Sequence, residues 1–229
     1  MGCCVVHSGV LDRVSSMVYV MNKDIIDRPS LVIIIDCWKK WNFDSFNSMV
    51  RNIKTWCETD SNIETVIVST YLDQIKNRVC IENPWWNNSK NIFFDTTRWE
   101  KLRDLWLSTS FVNESHTHHD ILTMKPQPRQ LMLSAWDELQ LIYYCNYVNP
   151  SIENVYIVGQ SWNVCLEGRP LGWTRLHYAN QHNLFRRPIR IMSKLGCVIT
   201  TSGGQVDDPG PDWHLVDNDI VMYEKKEQL

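Results

Sequence analysis

Leu31-Val32-Ile33-Ile34-Ile35 is an unbroken run of branched aliphatic residues ending in Asp36. Without polar alternation, such a run predicts a strand covered on both faces. Phe46, Met49, Val50, Ile53, Trp56 and Cys57 then recur at helical spacing, predicting a helix over 44–57 with Asp44 or Ser45 as its cap. Glu64 to Thr70, with Val66-Ile67-Val68 at its centre, predicts a second strand. The strand–helix–strand order implies a parallel pair joined by a right-handed crossover.

Further along, Asp120 to Lys125 predicts a third, short strand ending in Lys125, and Ser134 to Ile142 a helix with Ser134 or Asp137 near its start. Val155-Tyr156-Ile157-Val158 is apolar and stops at Gly159, which predicts a buried strand running into a tight turn. Helical material around 173–185 precedes another strand over 188–192. Met17 to Met21 has a strand-like pattern, and Asp27-Arg28-Pro29-Ser30 reads as a break. Asn83 to Asn88 is rich in turn residues, and Arg98 to Leu107 fits a short helix. Gly203 to Pro211 is a polar loop ahead of an extended apolar piece at 220–223. The expected architecture is α/β, three-layer α/β/α with a mostly parallel central sheet. Its core domain would span 31–202, between an N-terminal arm (1–30) and a C-terminal tail (203–229).

Composition narrows the classes. The length of 229 residues suits one domain of this kind, and 44% hydrophobic with 21% charged residues is ordinary for a globular chain. A net charge of −3 lacks the basic footprint of a nucleic-acid binder, and no apolar run reaches the length of a membrane span. Met1 to His7 lacks the layout of a secretory signal, and Val6 stands where a myristoylation motif has Ser or Thr. The eight cysteines show no metal-type pairing and, with no export signal, imply free thiols in a reducing, cytoplasmic setting. His116-Thr117-His118-His119-Asp120 offers ligand-type side chains, but no second pair at metal spacing accompanies it, and a polar loop ahead of a strand is the expected role.

Three predicted strand ends carry Asp36, Lys125 and Cys165. In a parallel sheet those ends share one edge, where open α/β sheets bind ligands. There an aspartate can take a thiol proton and return it to a leaving group. A lysine can hold the thiolate, and backbone N–H groups of the Gly159–Cys165 turn can meet an oxyanion. A helix beginning near Cys165 would also favour the thiolate, which predicts a cysteine reactive near neutral pH. Taken singly, the three have plainer roles: Asp36 as a turn residue, Lys125 as a surface charge, Cys165 as core.

On these residues the chain resembles the isochorismatase-like cysteine hydrolases, the superfamily of nicotinamidases and N-carbamoyl-amide hydrolases. The resemblance rests on the strand ending in Asp36, on Lys125 followed by Ser134-Ala135-Trp136 and a leucine-containing helix, and on Val158-Gly159 with Cys165 six residues after the glycine. It covers roughly residues 30–200, with the middle third poorly matched. It implies Cys165 as nucleophile, Asp36 as general base and acid, and Lys125 as the third member of the triad. It also implies a cis peptide at Gln160–Ser161, with the strained amides there and the N–H of Cys165 forming the oxyanion hole.

Two departures stand out. Nicotinamidase-type members bind a metal through an aspartate and histidines just after the second strand. Here Ser69 to Lys76 contains no histidine, so no metal or other cofactor is expected. Pro170, flanked by Gly168 and Gly172, interrupts the helix after Cys165 and turns Arg169 either toward or away from the pocket. Trp38, Trp136 and Trp162 adjoin the triad residues and are candidates to line the pocket or to pack beneath it. Arg169 or Arg175 is a candidate to hold a substrate carboxylate, with a surface position as the alternative.

Two functions follow from different classes. One is a metal-independent hydrolase cleaving a small amide or related C–N bond through a Cys165 thioester, as a homo-oligomer (dimer or tetramer) acting on a small molecule, with no nucleic-acid or membrane partner. The other is a catalytically inactive binding or structural subunit on the same fold. Hydrolysis of a vinyl ether, which some relatives perform without a nucleophilic cysteine, fits less well because Cys165 is present.

Overall fold

The computed structural model describes residues 25–69, 116–125, 131–134, 138–169 and 171–222. Within these, the aliphatic run forms strand β1 (Ser30–Ile35), and helix α1 (Asp44–Thr59) follows it. Strand β2 (Ile63–Ser69) comes next and pairs with β1 in parallel. Every β1 side chain is buried, as a strand inside a parallel sheet requires. Helix α1 turns Phe46, Met49, Val50, Ile53 and Cys57 inward on one stripe. Its N-cap is Phe43, without a side-chain cap bond, and the expected cap Asp44 is instead the first helical residue.

The middle of the chain departs from expectation. His119–Leu122 is a single helical turn, α2, and not a strand ending at Lys125. The His118 side chain accepts a hydrogen bond from the Asp120 N–H (3.2 Å), so local capping outweighs two apolar residues too few to make a ladder. The third parallel strand is β3 (Leu131–Ser134), paired with β2, so Ser134 ends a strand where a helix start was expected. Helix α3 (Glu138–Tyr143) follows and widens into a π-type turn over Tyr144–Val148.

Strand β4 (Asn154–Gln160) is fully buried and lies on the other side of β1. Helix α4 (Cys165–Gly168) stops short of Pro170, and α5 (Trp173–Gln181) restarts beyond it. Strands β5 (Arg190–Lys194) and β6 (Val198–Ile199) both pair with β4 in parallel. The C-terminal segment is part of the sheet. Strands β7 (Trp213–Val216) and β8 (Asp219–Met222) form an antiparallel hairpin whose second strand pairs with β5. The result is a mixed eight-stranded sheet in the order β3-β2-β1-β4-β5-β8-β7, with β6 beside the end of β4. No helix among the described residues is long and apolar enough to cross a membrane. The strand at 17–21, the turn at 83–88 and the helix at 98–107 fall outside the described residues.

Gly159 sets the approach of β1 to β4. Its φ is +117°, and a Cβ there would lie 2.1 Å from the Ile35 carbonyl oxygen. Any side chain would therefore push the two strand ends apart. Gly159→Ala should lower stability by about 3 kcal/mol or more, through backbone strain and the lost strand approach together. A urea midpoint within experimental error of the unsubstituted chain would show that the ends are not so tightly set.

Candidate active site

Ile35 of β1 is in register with Gly159 of β4, so Asp36 emerges next to Gln160 at the carboxyl edge of the sheet. Asp36 takes a left-handed backbone (φ 54°), a region aspartate tolerates better than most residues. The turn this makes is closed by the Trp38 N–H donating to the Asp36 carbonyl (2.9 Å) and by the Trp38 indole Nε1 donating to Asp36 Oδ1 (3.0 Å). The Asp36 side chain is only 5% exposed. A buried carboxylate must be met by donors or a counter-ion.

The counter-ion is Arg169. Its Nε donates to Asp36 Oδ2 at 2.8 Å, and its Nη2 lies 2.7 Å from the same oxygen. The Nη2 group also stands 3.7 Å from Cys165 Sγ. One helical turn separates Cys165 from Arg169, which places both on one face. The Arg169 N–H caps that turn on the Cys165 carbonyl (3.1 Å). Through the Arg169 guanidinium the Cys165 thiol and the Asp36 carboxylate are held on one group, and the Asp36 charge bears on the thiol. Asp36, Cys165, Arg169 and Trp38 thus form one contact group.

Lys125 does not join it. Its backbone N–H donates to Glu58 Oε1 (2.7 Å) near the C-terminus of α1, and Lys54 Nζ donates to the Thr123 carbonyl beside it (2.8 Å). Helix α1 starts at the Asp36 end of the sheet and is sixteen residues long. At 1.5 Å per residue this sets Lys125 about 20 Å from the Asp36 edge, beyond the reach of a lysine side chain. The expected position depended on a strand ending at Lys125, and the chain makes a helical turn there instead.

The turn before Cys165 is held by its own backbone. The N–H groups of Val164, Cys165 and Leu166 all converge on the Ser161 carbonyl (3.2, 3.0 and 3.1 Å), and that of Trp162 donates to Ile199 (2.9 Å). The Cys165 N–H, expected as an oxyanion donor, is therefore engaged within the protein. The amides of Ser161 and Asn163 make none of these bonds. The Gln160–Ser161 peptide is cis, and Ser161 Oγ bonds Thr201 Oγ1 (2.7 Å).

Trp162 is buried against Trp173 and Trp213, with ring centroids 4.5 and 5.1 Å away. It anchors the Cys165 turn from beneath and does not present an open pocket wall. Trp38 is partly exposed, with Lys40 Nζ 4.1 Å from its ring centroid. Trp136 lies outside the described residues. Arg175 pairs with Glu138 (3.8 Å). Pattern reading missed Thr117, a fully buried residue bridged to Trp38 whose Oγ1 has no hydrogen-bond partner among the described residues. Nothing local in the sequence signals a bridge between positions 38 and 117.

Among the described cysteines, Cys37, Cys57, Cys145 and Cys197 are buried and Cys165 alone is partly exposed. Burial pushes the Cys165 thiol above its ordinary range, and the Asp36 charge and hydrogen bond push it further. The Ser161 backbone and Arg169 pull the other way without prevailing. The four-residue α4 is too short to reverse this with its dipole, contrary to the expected thiolate. No protein-family model, curated protein or solved structure matches the chain.

A raised thiol is protonated at neutral pH and becomes nucleophilic only as pH climbs through its folded value. Iodoacetamide labelling of Cys165, followed by peptide mass spectrometry, should have its midpoint above the ~8.5 of an ordinary cysteine. Asp36→Asn removes the charge and the hydrogen bond that raise the thiol, and should move that midpoint down. A midpoint that stays put or moves up would contradict the electrostatic account.

Proposed function

We propose that the chain is a hydrolase that cleaves a small amide or related C–N bond through a thioester on Cys165, with Asp36 as the proton carrier. The gathering of a partly exposed thiol and a buried carboxylate on one guanidinium, 3.7 and 2.7 Å from its Nη2, carries this reading. The resemblance to the isochorismatase-like cysteine hydrolases supports it, as does the position of the pair at the carboxyl edge of a mostly parallel sheet. With that reading goes the finer architecture, helices covering both faces of the sheet in three layers, and a dimer or tetramer as the working form.

In the proposed cycle the thiol proton passes from Cys165 Sγ to Asp36 as sulfur attacks the carbonyl carbon. The C–N bond then breaks and the leaving nitrogen takes the proton from Asp36. Water attacks the thioester, giving a proton to Asp36, and collapse returns that proton to sulfur and releases the acid. The thiol starts neutral, so the step needs the adjacent base rather than a standing thiolate. The amides of Ser161 and Asn163 are the candidate oxyanion donors, since that of Cys165 is engaged. No metal is assigned a step, because the stretch after β2 carries no histidine.

A second reading, an inactive binding or structural subunit, is favoured by the near-complete burial of Asp36 beneath Arg169. Turnover separates the two. Across a panel of small primary amides and N-carbamoyl compounds, the hydrolase should release ammonia or amine and accumulate an acyl adduct on Cys165, visible in the intact mass after a rapid acid quench. Asp36→Asn should cost about 10²–10⁴ in turnover while leaving Cys165 alkylatable, and Cys165→Ala should abolish the adduct. A panel with no turnover and no adduct would favour the inactive subunit.

A further inference from the structure

We propose that Arg169, and not Lys125, is the cation of the Cys165–Asp36 pair, holding the carboxylate while the thiol keeps its proton and the thiolate once the proton has moved. This rests on the reading of Cys165 as nucleophile given above, and it assigns Arg169 a positioning role in place of the substrate contact its sequence position suggested.

The geometry has three parts. The guanidinium already touches both ends of the proton path, with Nε and Nη2 on Asp36 Oδ2 and Nη2 at 3.7 Å from Cys165 Sγ. When the proton crosses from sulfur to carboxylate, the pair keeps one negative charge, which moves from oxygen to sulfur. A cation bridging the two atoms follows that charge with a small rotation of one planar group, and the fork of a guanidinium suits such bridging better than a point ammonium. Second, Arg169 is one turn beyond Cys165, and the helix stops there, so the same short element sets both groups. Third, the alternative cation is excluded by distance, since Lys125 lies near the far end of α1 beside Glu58.

Among the described residues, the charged groups bearing on the thiol are Asp36, from the end of β1, and Arg169, from the end of α4. Lys40 sits farther out, over the Trp38 ring. Because Arg169 is paired with Asp36, its charge is balanced within the site. A substrate carboxylate would have to compete with a buried, doubly hydrogen-bonded partner, so the substrate group next to Cys165 is expected to be uncharged.

The test is the pH profile of Cys165 alkylation by iodoacetamide, read by peptide mass spectrometry between about pH 6 and 10. It compares the unsubstituted chain with Arg169→Gln, Arg169→Lys and Lys125→Ala, each checked for folding by circular dichroism and urea midpoint. Loss of an adjacent opposite charge moves a titration by about one pH unit or more. Arg169→Gln should therefore shift the midpoint up by about that much and slow labelling about tenfold at a pH below it. Arg169→Lys should recover most of the shift, which a merely structural role would not require, and Lys125→Ala should leave the profile in place. If Arg169→Gln remains folded and its profile overlays the unsubstituted one, or if Lys125→Ala produces the shift, the assignment is wrong while the nucleophile reading stands. If Arg169→Gln does not fold, Arg169→Lys decides, since a folded lysine variant whose profile has moved up by the full unit would show that charge is not what matters. A Cys165 that takes no label at any pH in the unsubstituted chain would remove both the assignment and the reading beneath it.

Discussion

A carboxylate taken out of water at the mouth of a parallel sheet constrains everything around it. Asp36 is charged, nearly inaccessible and placed where β1 ends, and desolvation of such a group costs several kcal/mol unless neighbours replace its water. The replacements come from two directions: the Trp38 indole on one oxygen and the Arg169 guanidinium on the other. Each comes from a different piece of chain. The turn after β1 must fold back, α4 must end one turn after Cys165, and β4 must lie close enough to β1 for the thiol to reach across.

That closeness is a backbone property. Gly159 admits the Ile35 carbonyl where any side chain would exclude it, and the Ser161 carbonyl gathers three N–H groups to hold the following turn in one shape. Beneath the turn, Trp162 is clamped by Trp173 from α5 and Trp213 from β7. Large aromatic contacts of this kind contribute by buried area and by ring geometry together. The antiparallel C-terminal hairpin thus extends the sheet and also braces the loop that carries the thiol, linking the last strands of the chain to a site built mainly from β1 and β4.

The parts of the fold legible in the sequence were those set by a single local pattern. The five aliphatic residues before Asp36 and the stripe from Phe46 to Cys57 define their elements without help from distant residues. The short β3 and β7 were not legible. Four residues carry too little periodicity, and their strand character comes from the neighbours they pair with. The same limit decided the candidate site. The position of Asp36 at the sheet edge was readable because a strand end in a parallel sheet has a known edge, and Cys165 follows the end of β4 by one short turn. Lys125 was misplaced because two apolar residues after Asp120 mimic a strand, while the histidine before it caps a helical turn. Arg169 carried a usable signal, its spacing of four from Cys165, but Pro170 left its direction open until the helix end was seen.

The electrostatics of the group bear on what chemistry it can host. Burial and the Asp36 charge hold the thiol protonated, which suppresses stray reactions of a partly exposed cysteine with cellular electrophiles. They also give a reason for a base to be in contact with it. A standing thiolate would need no proton acceptor, whereas a neutral thiol beside an ionised carboxylate becomes nucleophilic only when the proton has somewhere to go. A structural cysteine at this position would be served as well by full burial, the condition of the other four described thiols. Partial exposure together with a carboxylate and a guanidinium is costly to assemble and has no evident benefit for folding alone. Under the proposed reading the cost has a use: one proton, one negative charge and one fixed cation are confined to three adjoining side chains, and only the proton and the charge move.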